Sequence, residues 1–315
     1  MRTLKLPNTD LRVSTLCYGS AWTGTVLRGK DLDRIMGCFR DAGGNFFDTA
    51  HAYSYWVEGG TGASELALAD YFRRNGGRDE VVIATKGGVG SVSGYRQVEW
   101  YLSPGRIAAD IDDSLGRLDI DTIDLYWLHR DDPRVPVGEI IEMLNAEVRR
   151  GRIRFLGASN WTTSRIAAAN AFAADNGLRG FVASQPEWNL AHPNLETRDP
   201  TTHQLTDEDR VWHEQEKLPV IPYSPTAGGY FATDGNSGER AYENETSRQR
   251  LQRVQKLVKD LGYTPNQIAL AYLMNHDFPV IPILGAKQVT HLQDAIGSTD
   301  IKLTRNHVTW LRNGN

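Results

Sequence analysis

Short apolar runs of strand length alternate with amphipathic stretches of helix length along nearly the whole chain, and this alternation restricts the fold more than any other feature. Residues 16–19, 45–48, 81–85, 123–128, 153–157, 181–184, 218–223 and 280–284 read as strands. Between and after them, residues 30–42, 63–74, 104–118, 137–150, 163–175, 206–217, 248–261, 266–275 and 289–296 read as helices. In the second helix Leu66, Ala69, Tyr71 and Phe72 are expected to face inward. Ahead of the alternation, residues 3–6 and 11–14 flank Pro7-Asn8-Thr9-Asp10, the signature of a hairpin.

Strands alternating with helices imply parallel pairing through right-handed crossovers. Eight such units in 315 residues, with no break in composition, suit one α/β domain over residues 1–315, a closed (β/α)8 TIM barrel with an N-terminal β-hairpin. A doubly wound open sheet would need a glycine-rich phosphate loop after its first strand. Gly19-Ser20-Ala21-Trp22-Thr23-Gly24 follows that strand instead, and no G-x-G-x-x-G occurs. A formal net charge of −4 does not favour nucleic acid or an anionic membrane as a partner. No run approaches 18 apolar residues and the first residues do not read as a signal peptide, so a cytoplasmic location is the default expectation. Cys17 and Cys38 read as reduced thiols, and no spacing suggests a metal site.

A barrel carries its active site at the carboxyl ends of its strands. Those ends supply Trp22, Asp48 with Tyr53, Lys86, His129 followed by Arg130-Asp131-Asp132, Ser159-Asn160-Trp161, Gln185 with Trp188, Tyr223-Ser224, and Gly285-Ala286-Lys287. Asp, Tyr, Lys and His around one mouth suit carbonyl reduction. An ammonium about 4 Å from a phenol contributes about 4 kcal/mol at an effective dielectric of about 20. Lys86 is therefore expected to pull Tyr53 below its usual pKa, with burial opposing part of the effect. Asp48 would hold Lys86, and His129 would orient the carbonyl oxygen beside Tyr53. No side chain supplies hydride, so a nicotinamide cofactor is required.

At these positions the sequence resembles the aldo-keto reductases. The resemblance rests on Asp48-Thr49-Ala50…Tyr53, Gly62…Ser64-Glu65, Ala84-Thr85-Lys86, Leu128-His129, Gly157…Ser159-Asn160, Gln185-Pro186, Tyr223-Ser224-Pro225 and Pro282…Gly285-Ala286-Lys287, from the hairpin to about Leu303. It implies a barrel that binds NADPH in an extended pose. It also implies a tetrad of Asp48, Tyr53, Lys86 and His129 with Tyr53 as proton donor. By the same resemblance Ser159, Asn160 and Gln185 would bind the nicotinamide carboxamide, and Tyr223 would stack on its ring. Ser224 and Pro225 would lie near the pyrophosphate, and Gly285, Ala286 and Lys287 would receive the adenosine 2′-phosphate. His291 and Ala295 align with positions that usually carry a polar residue and an asparagine, so NADP(H) over NAD(H) rests mainly on Lys287. The glycine-rich loop 226–247 departs from the family pattern and is expected to be mobile without ligand.

Trp22, Tyr55, Trp56, Trp127, Trp161 and Trp188 are candidates for an aromatic-lined pocket. Arg130 and the two aspartates after it suggest a small-molecule carbonyl with many hydroxyls, such as a sugar. A regulatory subunit on the same barrel, like the cytoplasmic β subunits of potassium channels, is the alternative function, although a complete tetrad favours catalysis. A metal-dependent barrel hydrolase would need paired ligands at strand ends, and only His129 is well placed.

Overall fold

The computed structural model describes residues 1–90 and 98–314. Strands β1 (Thr3–Lys5) and β2 (Arg12–Ser14) pair antiparallel as the expected hairpin. Seven further strands follow: β3 (Cys17–Gly19), β4 (Phe46–Asp48), β5 (Val82–Gly87), β6 (Ile123–Leu128), β7 (Ile153–Ser159), β8 (Phe181–Gln185) and β9 (Ile283–Leu284). They form one parallel sheet in the order β8-β7-β6-β5-β4-β3-β9. The helices are α1 (Gly29–Asp41), α2 (Ala63–Asn75), α3 (Pro104–Leu118), α4 (Val137–Arg149), α5 (Thr163–Asp175), α6 (Asp207–Glu216), α7 (Glu239–Tyr242), α8 (Glu245–Leu261), α9 (Pro265–Met274), α10 (Val289–Ile296) and α11 (Arg305–Asn313). The result is a TIM-barrel-like α/β fold. No helix among the described residues is long and apolar enough to cross a membrane.

The expected strand over 218–223 is not regular, and the one over 280–284 is regular only at its end. Proline explains both. Pro219, Pro222, Pro279 and Pro282 accept backbone bonds from Ser184, Ile283, Val220 and Cys17. None can donate one back, so each proline leaves its own rung missing. Single bridges remain, Ser184 to Val220 and Val220 to Val280.

Strand parity sorts the side chains. Cys17, Phe46, Val82, Ala84, Leu125, Trp127, Phe155 and Ala183 point to one face, where Ile221, Ile281 and Ile283 join them. Leu6, Leu11 and Val13 of the hairpin complete that interior cluster, so the hairpin packs into the core rather than beside it. The opposite face carries Tyr18, Phe47 and Ile83 against Leu32, Ile35, Met36 and Phe39 of α1.

Three expectations change. Helix α2 turns Ser64, Glu65, Leu68, Tyr71 and Phe72 inward, while Leu66 is exposed. Ser64 and Glu65 are drawn in by polar partners beneath the helix, which rotates the buried stripe away from the apolar one. Helix α11 was not evident because its few apolar residues, Val308, Trp310 and Leu311, are spread thinly; they pack on the cluster that contains Leu251 and Val254 of α8. Loop 226–247 is anchored, since it buries Tyr230, Phe231 and Tyr242 in the same cluster.

Leu6 is fully buried. Replacing it by alanine should lower unfolding free energy by about 2–5 kcal/mol, measured by denaturant titration. An unchanged midpoint would show that the hairpin is an appendage.

Candidate active site

The same parity that fills the interior brings the reactive groups together. Two residues beyond Phe46 stands Asp48, two beyond Ala84 stands Lys86, and two beyond Trp127 stands His129. Pairing of Asp48 with Ala84 and of Lys86 with Trp127 sets these ends side by side. Gly157 is required in the neighbouring strand, because a Cβ there would lie 2.1 Å from Trp127 Cε3.

Lys86 is 1% exposed and Asp48 is fully buried. Lys86 Nζ donates to Asp48 Oδ2, to the Thr49 carbonyl at 2.8 Å and to Tyr53 Oη at 2.8 Å. Gln185 Nε2 donates to Asp48 Oδ1 at 3.1 Å. The His129 ring stands edge-on to Tyr53, with centroids 6.0 Å apart. The structure therefore brings the four expected residues to one place.

The electrostatics differ from expectation at Tyr53. Burial raises its phenol above the usual value, and the Lys86 ammonium offsets only part of that. Asp48 also counters the ammonium's field. Tyr53 consequently keeps its proton at neutral pH. Asp48 is raised by burial, with Lys86 opposing, whereas at Lys86 burial is the largest single effect but Asp48 and Tyr53 together outweigh it and keep the lysine charged. His129 is held well below its ordinary value by burial and then by Arg130, Lys86 and His51. Its Nδ1 is buried without a partner.

Ser159, Asn160, Gln185 and Tyr223 gather next to this group. Ser159 Oγ donates to the Gln185 carbonyl at 2.9 Å, and Asn160 Nδ2 to the His129 carbonyl at 3.1 Å. Tyr223 Oη donates to Asn160 Oδ1 at 2.9 Å, as does the His203 amide at 3.1 Å. Asn160 and Ser224 both adopt left-handed backbone, with φ 62° and 53°. Ser224 is exposed and Pro225 buried behind it. Gly285 opens onto free space, since an added Cβ would meet nothing within 4 Å. Ala286 follows, then Lys287 and His291, both exposed beside the N-terminus of α10. Donors, one cation and open space in this order fit an extended nicotinamide dinucleotide. Ala295 does not face that space; it packs in the core beside Leu292.

The aromatic candidates divide. Trp56 lies 6.4 Å from Tyr53, 6.0 Å from Trp22 and 5.2 Å from Tyr55, and Lys287 Nζ stands 4.7 Å over Trp22. These rings line the mouth. Trp161 does not: it is 1% exposed and packs on Phe181 with Arg165 over its ring. Trp188 stacks on Phe278, and Trp127 fills the interior. A tryptophan next to a strand end can turn either way, and here Trp161 and Trp188 turn into buried apolar clusters. Arg130 bonds Thr201 and sits 3.7 Å from Asp199, Asp131 pairs with Arg165, and Asp132 with Arg134. The charged triplet is thus already paired within the protein.

Sequence reasoning gave no role to Ser64, Glu65, Arg117 or Glu187. Glu65 is fully buried, and Glu187 is buried against Arg198, Gln204 and Tyr242. The motif Gly62…Ser64-Glu65 was the available signal for the first two. Among the described residues no group of three or more His, Cys, Asp or Glu could hold a metal ion.

A profile of the Aldo/keto reductase family matches residues 15–313. The chain belongs to the aldo/keto reductase family. It is 31% identical to the uncharacterized oxidoreductase YrpG of Bacillus subtilis, over 95% of this chain and 91% of that one. It is 31% identical to norsolorinic acid reductase B of Aspergillus parasiticus, over 98% of this chain and 82% of that one. A probable voltage-gated potassium channel subunit beta of Arabidopsis thaliana is 27% identical, over 96% and 92%. The family match runs through α11, beyond the Leu303 limit expected from motifs, and begins after the hairpin. Family membership makes this aldo/keto reductase an oxidoreductase that uses a nicotinamide cofactor.

Because folding lowers the His129 pKa, the unfolded chain takes up that proton first, so its contribution to stability is intact above about pH 6.5 and falls below it. Imidazole NMR, assigned with His129→Gln, should show no His129 titration near the ordinary histidine midpoint. A midpoint at the ordinary value would contradict the burial described.

Proposed function

We propose that this protein reduces an aldehyde or ketone to an alcohol, with Tyr53 as proton donor and NADP(H) as the favoured cofactor. In this reading the whole chain is one domain, and the bridges at Val220 and Val280 complete an eight-stranded barrel around the interior cluster. One observation carries the proposal: Lys86 Nζ reaches Asp48, the Thr49 carbonyl and Tyr53 Oη at once. The lysine donates to the phenol oxygen, which leaves the phenol's own proton free to point into the mouth.

A reduced nicotinamide, when bound, supplies the hydride. Ser159, Asn160 and Gln185 would hold its carboxamide and the Tyr223 ring would face it; Ser224, Pro225 and the Gly285–Ala286 backbone would pass beside its phosphates. Lys287 would leave Trp22 for a 2′-phosphate, with His291 beside it, which supports NADP(H) over NAD(H). His129, neutral, would donate a hydrogen bond that aligns the carbonyl oxygen with Tyr53. Tyr53 would then transfer its proton to that oxygen as negative charge builds, and the adjacent ammonium would stabilise the phenolate left behind.

Arg130, Asp131 and Asp132 have protein partners, which favours the aromatic reading of the mouth over a polyhydroxylated substrate. Trp22, Tyr55 and Trp56 support a flat aromatic carbonyl instead.

The test is loss of reduced-nicotinamide absorbance with aromatic aldehydes and with aldoses. Aromatic aldehydes should turn over faster. Tyr53→Phe should lower kcat by about 10²–10⁴-fold while NADPH binding stays within about twofold. Full turnover in that variant would exclude Tyr53 as the acid.

A further inference from the structure

The pattern Gly62…Ser64-Glu65 takes no part in the chemistry above, yet it lies directly behind it. Glu65 accepts from Thr85 Oγ1 at 2.7 Å and from Arg117 Nη1 at 3.2 Å. Thr85 is the residue before Lys86, on the face of β5 turned toward α2. A buried carboxylate needs such a partner, and Arg117 comes from α3 to supply it. It passes over Gly62, where a Cβ would lie 2.7 Å from its Nε. Gly62 also has φ 80°, so both its backbone and the space above it call for glycine.

Arg117 has a second hold. The same Nη1 donates to the His51 carbonyl at 3.3 Å, and Nη2 lies 3.7 Å from Asp113. Asp113 in turn contacts His51 Nε2 at 3.0 Å. The His51 amide donates to the Lys86 carbonyl at 2.9 Å, and the Thr49 amide to Ala84 at 2.8 Å. Tyr53 follows His51 by two residues. One guanidinium therefore grips the strand that carries Lys86 and the loop that carries Tyr53.

We propose that Arg117 is a positioning residue that fixes the loop 49–53 against β5 and so sets the distance between Tyr53 and Lys86. This rests on the reading of Tyr53 as proton donor. Arg117 touches neither substrate nor cofactor; it acts through Glu65–Thr85 on one side and through the His51 carbonyl on the other. Lysine replaces it only in part, because one ammonium lacks the fork that reaches Glu65, His51 and Asp113 together. A purely structural ion pair would lower global stability and leave this local geometry intact once folded.

The experiment compares Arg117→Met and the milder Arg117→Lys with the wild type, using the full chain. Amide hydrogen exchange reads the loop without any activity. In Arg117→Met, exchange over 49–56 should accelerate by about tenfold or more while β7 and β8 stay unchanged, with Arg117→Lys in between. With saturating NADPH and an aromatic aldehyde, kcat should fall by about tenfold to hundredfold, while carbonyl KM and NADPH affinity stay within about twofold. The solvent deuterium isotope effect on kcat should rise, since proton delivery slows. Should Arg117→Met not fold, Arg117→Lys and Glu65→Gln carry the same readouts. Unchanged exchange over 49–56, or acceleration spread evenly through the chain, overturns the proposal, as does an unchanged kcat with altered stability. If the wild type reduces no carbonyl, the reading of Tyr53 falls, and the exchange result still decides the clamp.

Discussion

A lysine and an aspartate buried side by side at the ends of β4 and β5 are the constraint on which the rest depends. Removing two charges from water costs several kcal/mol per ion, and only full hydrogen bonding offsets it. Lys86 has three donors and three acceptors, Asp48, the Thr49 carbonyl and Tyr53 Oη. Asp48 has the lysine on one oxygen and Gln185 on the other. The pair is affordable only because the phenol completes it. Structure and chemistry are therefore the same interaction: the group that would give up a proton also satisfies the ammonium.

That pair can form only if strand parity is kept in register across neighbouring strands. Asp48, Lys86 and His129 share the face that carries Phe46, Ala84 and Trp127 deeper down. A slip of one residue would send Lys86 outward to where Thr85 meets Glu65. Gly157 makes room for Trp127, its partner on β6, and the hairpin adds Leu6, Leu11 and Val13 to the interior. Around this rigid floor, Trp22, Tyr55 and Trp56 stand on loops, where variation costs less.

Much of this was readable from the sequence because it depends on local pattern. Apolar runs marked the strands, amphipathic stretches marked most of the helices, and polar residues at strand ends marked Asp48, Tyr53, Lys86 and His129. The misses have other origins. Prolines 219, 222, 279 and 282 interrupt two staves that look apolar and continuous. Helix α2 buries Glu65 in place of Leu66, because polar partners in other elements outweigh its own stripe. Trp161 sits next to site residues in sequence and in the core in space. The phenol at Tyr53 moves opposite to the pairwise argument, since burial and Asp48 act together against Lys86. Apart from the prolines, the misses involve contacts between residues far apart in the chain, which spacing alone does not encode.

The most direct measurement of the central claim is a single turnover of enzyme-bound NADPH with an aromatic aldehyde in Lys86→Met beside the wild type. The account predicts that NADPH still binds while its oxidation slows by about 100-fold or more, because the phenol loses the ammonium that stabilises its deprotonated form. Oxidation at the wild-type rate in Lys86→Met would contradict it.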